Sequence, residues 1–213
     1  SASEAPRRLD FSSATVKVPH ARLVRYLQNW ITDCAPQLDK FDEEQHFQIE
    51  VPLAAQRSPA LLYAILAFSS RQMERRGLMQ GHCDSLELYQ ESIRLLAPAL
   101  QAKDSVTLVT ACILAVFELM SSETGNWRRH VEGCASLFDV FGVNGFSGGL
   151  LQAVFWCYAR MELCGSFTSD GAETMVLALN KWVPTINRSL ASPEDAENLI
   201  RSLFHEKSRD CHD

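Results

Sequence analysis

The chain has no Cys-x-x-Cys pair, no apolar run of membrane length and no excess of basic charge. Each absence excludes something. Without closely spaced cysteines the chain holds no compact zinc cluster of its own. Its seven cysteines, Cys34, Cys83, Cys112, Cys134, Cys157, Cys164 and Cys211, are odd in number and scattered through mostly apolar segments. They read as reduced, buried thiols of an intracellular protein. Twenty Lys and Arg stand against 26 Asp and Glu, a net charge of −6. Domains that grip DNA usually carry a basic face, because neutralising phosphates drives that binding. The charge therefore argues against direct DNA contact. The longest uncharged run, Val140 to Ala159, contains Asn144, Gly145, Ser147, Gly148, Gly149 and Gln152. It reads as a loop entering a helix, and a soluble protein is expected. The polar start, "SASEAPRRLDFSS", is no signal peptide.

Chemistry-bearing patterns are equally scarce. His20, His46, His82, His130, His205 and His212 show no paired ligand spacing, so no metal site is expected. "GVNGFSGG" lacks the Lys-Ser/Thr of a phosphate loop and any preceding strand, and reads as a connector. No segment alternates apolar and polar residues as a strand would.

What remains is helical periodicity. Residues 1–18 read as a disordered lead-in, and 19–213 as one all-helical domain. His20 to Cys34 has a stripe of Leu23, Val24, Leu27, Trp30, Ile31 and Cys34, with Pro36 expected to stop it. The acidic "DKFDEE" after it reads as a solvated loop leading into a negative first turn. A helix over His46 to Ala55 would carry Pro52 as a defect. Ser58 and Pro59 are cap and first residue of the next helix, which Gly77 ends. Cys83 to Gln101 presents Leu86, Tyr89, Ile93, Leu96 and Leu100, with Pro98 distorting its last turn. "SVTLVTACILAVFELM", capped by Asp104, is apolar all round and so belongs at the centre. Leu150 to Cys164 is another apolar helix, followed by a loop over 166–173. Helices near Ala172 to Lys181 and from Ser192 to Phe204 complete an all-α bundle of about eight helices. Stacked helical pairs are also compatible.

"GNWRRHVEGCASLF", Gly125 to Phe138, mixes groups that could be reactive. On a helical wheel Trp127, Val131, Cys134, Phe138 and Phe141 form one stripe, with Asn126 as the N-cap. Arg128 and Glu132 pair on the opposite side, and Gly133 suggests close approach of another helix. His130 and Cys134 are four apart, but burial makes the thiol inert, and no catalytic residue is assigned.

In order, "SPALLYAILAFSSRQM", "LYQESIRLLAPAL", "TLVTACILAVFELM", "NWRRHVEGCASLF" and "FWCYARMELCGSF" resemble the regulatory domain of fungal zinc-cluster transcription factors, over roughly residues 40 to 167. The family-motif positions are Trp127, His130 and Gly133, then Arg160 and Glu162. The resemblance implies a nuclear, non-enzymatic regulator that dimerises, binds a coregulator or senses a small hydrophobic effector. It implies that DNA is bound only through a zinc cluster upstream of Ser1, so that zinc is no cofactor of this chain. The family's domain usually extends further, so a fragment is expected. Phe117, Met120, Trp127, Phe155 and Tyr158 would line any ligand pocket between helices. Arg160, in an apolar helix, is expected to bond a carboxylate or helix-end carbonyls. The alternative reading is an all-helical ligand-binding or scaffold protein unrelated to transcription.

Overall fold

A computed structural model describes residues 13–79, 84–102, 104–121 and 127–168, with the side chains of 101–102, 127–132 and 165–168 left aside. The described residues are mostly helical and contain no strand. The elements are α1 (His20–Asn29), a π-helical turn (Trp30–Cys34), α2 (Ala35–Leu38), a 3-10 turn (Asp39–Phe41), α3 (His46–Ala55) and α4 (Pro59–Arg75). After them come α5 (Asp84–Leu96), a 3-10 turn (Ala97–Ala102), α6 (Ser105–Ser121), α7 (Trp127–Phe141) and α8 (Gly149–Thr168).

The centre of the bundle is α4. Its start follows from two residues: Ser58 Oγ accepts from the Leu61 amide, and Pro59 has no amide to leave unpaired. Its end follows from Gly77, at φ +68°, where glycine adopts left-handed backbone freely. Between them Ala60 to Ser70 is buried without interruption. Helices α1, α3, α5 and α6 all pack on α4, while α8 packs on α3 and α6, and α7 on α6 and α8. Helix α6 is buried from Thr107 to Phe117 except at the half-buried Ala111, as its apolar composition required, with Asp104 Oδ1 accepting from the Val106 amide at 3.3 Å.

Four expectations are corrected. Pro36 does not stop the first helix. It sits at the start of α2, just after the π turn, in which the Ala35 amide reaches back five residues to the Trp30 carbonyl. The wider turn falls where a proline ring would otherwise meet the carbonyl four residues before it. The buried face of the first helix is accordingly Leu23, Tyr26, Trp30 and Cys34, while Val24 and Ile31 are exposed.

On α5 the expected stripe is rotated. Leu86, Ile93 and Leu100 are exposed, and the buried residues are Ser85, Leu88, Tyr89, Glu91, Ser92 and Leu96. The polar ones can be inside because each has a partner. Ser92 Oγ donates to the Ala60 carbonyl at 2.8 Å and Ser85 Oγ to Glu74 at 2.6 Å. Their small size lets α5 lie close on α4. Helix α8 runs on to Thr168, through the first part of the expected 166–173 loop. Finally, nothing lies within 4 Å of where a Cβ would stand on Gly133, which is exposed, so no helix among the described residues approaches it closely.

Two further readings shift. Residues 13–18, expected within the lead-in, are non-helical and hydrogen-bonded to α4 and α5. Asp39, expected in a solvated loop, is only 8% exposed. The expected Asn126 cap and the helices after 171 lie outside the described residues.

Candidate functional site

A cleft of about 510 Å³ lies between the 39–46 segment and the start of α8. Asp39, Phe41, Asp42, Glu43, Glu44 and His46 form one wall, with Lys40 its single fixed cation, and Gly148, Gly149 and Gln152 form the other. The acidic run explains the local structure. Asp39 accepts from the Phe47 and Gln48 amides at 2.9 and 3.0 Å, and Asp42 from the His46 amide at 2.7 Å. These are the first three amides of α3, of which only that of Gln48 also reaches a backbone carbonyl, that of Gln45 at 3.0 Å, and two carboxylates therefore cap the helix. Gln45, which precedes α3, is held at φ +57°, a left-handed position that a non-glycine residue occupies at a cost.

Burial pushes the Asp39 carboxyl up to about 6, more than the two amide bonds lower it. His46 is boxed in by acids: Nδ1 lies 2.9 Å from Asp42, and Nε2 lies 3.2 Å from Glu44 and 3.8 Å from Glu50. The histidine count missed this arrangement because it looked for other metal ligands. The available signal was the Asp42–His46 spacing of four, one helical turn. No three His, Cys, Asp or Glu side chains among the described residues could hold a metal ion. The rim is negative and the wall largely polar, which suits a cationic or hydrogen-bonding molecule better than a hydrophobic one.

The motif residues lie elsewhere, on α7 and α8. The side chains of Trp127 and His130 fall outside the described ones. Arg160 and Glu162, two apart, diverge as expected. The Arg160 guanidinium stands 5.9 Å from the centre of the Phe41 ring, and its charge helps to hold the Cys157 thiol below its usual value, after the hydrogen bond with Cys112. Among the described residues no carboxylate or helix-end carbonyl is recorded as its partner. Glu162 is buried and accepts from Tyr158, whose phenol is pushed up by burial first and by that carboxylate second.

The candidate pocket residues divide between two core clusters. Phe117 stacks on Tyr89 with centroids 4.7 Å apart. Phe155 and Tyr158 pack on Phe138 at 5.7 and 4.9 Å. Met120 is half-buried at the end of α6, its carbonyl accepting from Arg75. Trp156, beside Phe155, donates to the Gly145 carbonyl at 3.0 Å and ties the 142–148 loop to α8.

The thiols behave as structural groups. Burial pushes Cys34 and Cys134 up to about 12. Cys112 is held well above its usual value by its hydrogen bond to Cys157 and by burial. A nucleophilic Cys134 is thereby disfavoured.

Comparison with known proteins decides the family. The model of the fungal specific transcription factor domain matches residues 25–208. The chain belongs to that family. Membership assigns it a role in regulating transcription, and the match takes in every described helix from α2 to α8 together with the second half of α1. No curated protein and no solved structure matches the chain. Among the described residues no helix is long and apolar enough to cross a membrane.

Proposed function

We propose that this chain is the regulatory domain of a nuclear, sequence-specific transcription factor and acts without catalysis of its own. DNA binding belongs to a zinc cluster upstream of Ser1. The helical domain sets activation by dimerising, by binding a coregulator or by taking up a small molecule. The family match over residues 25–208 carries this reading. The net charge of −6 supports the division of labour, since an acidic domain is poorly suited to holding phosphates itself.

The test has two arms. Sequencing the parent transcript upstream of Ser1 should reveal six closely spaced cysteines among basic residues. Removing the region that encodes this domain should then change reporter output while leaving occupancy of the target DNA in place. An upstream sequence without that cluster, or loss of occupancy on deletion, would overturn the reading.

A second reading concerns the effector, and the cleft by His46 favours it. The acidic rim suits a cationic small molecule. Native mass spectrometry of the purified chain should then show a retained polar mass, released when Glu44 and Glu50 are replaced by glutamine. A retained apolar mass insensitive to those changes would point instead to the hydrophobic effector implied by the motif resemblance.

A further inference from the structure

Residues 13–18 form a non-helical strap, bent at Thr15 and Val16, against α4 and α5. Ala14, Val16 and Val18 pack towards the core, and Ser13, Thr15 and Lys17 are exposed. The polar contacts of the strap converge on one side chain. The Thr15 amide donates to Glu91 Oε1, the Thr15 hydroxyl donates to Oε2 at 2.8 Å, and the Val16 amide also donates to Oε1 at 3.4 Å. Tyr63 donates its hydroxyl to the Val16 carbonyl, and Arg94 donates to the Ser13 carbonyl at 2.7 Å. Glu91 is itself 3% exposed. Two nitrogens of Arg94 hold it at 2.8 Å each. The arginine first, and the strap's own donors after it, keep the carboxyl down at about 2. Glu91 is therefore negative at any cellular pH.

We propose that Thr15 is a phosphorylation site and that its modification releases the strap. The hydroxyl is on an exposed residue of a non-helical segment, and its only described partner is a fixed negative charge. A serine/threonine protein kinase would move the γ-phosphoryl group of ATP onto Thr15 Oγ. The new bond is O–P, the γ-phosphorus leaves the β-bridging oxygen, ADP departs, and the hydroxyl proton passes to the kinase's base. The product has lost its donor to Glu91 and gained between one and two negative charges beside it. Arg94 already engages Glu91 and the Ser13 carbonyl through Nε and Nη2, and its single positive charge is balanced by Glu91, so it offsets only part of the added charge. Like-charge repulsion then acts at the point where the strap's bonds meet. Any effect on a DNA-binding segment upstream rests on the function proposed above; release of the strap does not.

The experiment is amide hydrogen exchange on the 213-residue chain with phosphothreonine encoded at position 15, next to the unmodified chain and Thr15→Val. In the phosphorylated chain the amides of Thr15 and Val16 should exchange about tenfold faster or more, while α4 stays protected. Thr15→Val, which keeps both backbone donors to Glu91, should change them far less. Phosphosite mapping of the protein isolated from the cells that make it should find phosphate on Thr15. Three results would each overturn the proposal. The first is unchanged or slower strap exchange, the slower case meaning that the phosphate had captured Arg94 and tightened the strap. The second is equal loss of protection in α4, which is global unfolding. The third is phosphate confined to other residues.

Discussion

Arg160 of α8 lies over the ring of Phe41, a residue 119 positions earlier, with the guanidinium carbon 5.9 Å from the ring centre. Phe41 is 65% exposed, so this contact sits at the surface and not inside the bundle. A half-buried arginine on an aromatic ring is worth roughly 0.5–1 kcal/mol, far less than a fully buried charge would involve. Arg160→Met keeps most of the packing. It should lower the melting temperature by only about 2–4 °C, read by calorimetry. A fall beyond about 10 °C would mean that Arg160 anchors a buried charge pair.

Asp39 gives a pH dependence of definite sign. Its carboxyl titrates at about 6 in the folded chain and near the usual 3.9 when unfolded. Between those values the folded state binds the extra proton, so stability from this group falls as pH rises from 4 to 6. It is present in full below 4. Allowing for solvent screening, the difference is about 1–2 kcal/mol. Denaturant melts at pH 4.5 and 7 should show this step in the wild type and lose it in Asp39→Asn. An equal step in both would assign the slope to other groups. Glu91 works in the opposite sense: its contribution is present above the unfolded value and is lost as pH falls from about 4.5 towards 2.

Gly133 supplies the simplest test of the helix α7 surface. It is exposed, inside the helix, and surrounded by open space where a Cβ would go. Gly133→Ala should therefore stabilise the protein by up to about 1 kcal/mol through backbone entropy alone. A destabilised variant would reveal a partner surface at that point.

The buried amide of Asn29 joins α1 to α4. Its Nδ2 donates to Ser69 Oγ and Gln72 Oε1, both at 2.9 Å, while Ser69 Oγ donates to the Tyr26 carbonyl at 2.7 Å. Asn29→Ala strands two acceptors and should cost about 2 kcal/mol in chemical denaturation. A change under about 0.5 kcal/mol would mean that water replaces the amide freely.

Thiol labelling should sort the described cysteines by environment. Cys164 is exposed, whereas Cys34, Cys112, Cys134 and Cys157 are buried. Iodoacetamide at pH 8 should modify Cys164 within minutes and leave the four buried thiols intact until denaturant is added. Fast loss of Cys157 in the native protein would contradict this picture.

The sequence carried the helices well where a cap and a strong apolar pattern agreed. Ser58–Pro59 and Gly77 bracket α4 as written, and His46 to Ala55 forms α3 despite Pro52. Faces were harder to read. On α5 the buried positions include Ser85, Glu91 and Ser92, whose satisfaction depends on Glu74, Ala60 and Thr15 elsewhere in the chain. Periodicity weighs polarity and cannot see those partners. The cleft was illegible for the same reason, since its second wall comes from residues a hundred positions away. Family membership was legible because it rests on order and spacing along the chain, which folding does not alter.

The π turn at Trp30–Cys34 has a consequence for comparing chains. Such a turn spends one residue more than an α-turn over nearly the same length of axis. A family member that lacks it should be one residue shorter between the equivalents of Tyr26 and Leu38, with both residues still facing the core. A single-residue gap placed there in an alignment would record a real change in helix winding. Closing that gap by sliding the sequences would swap buried for exposed positions over the whole of α1.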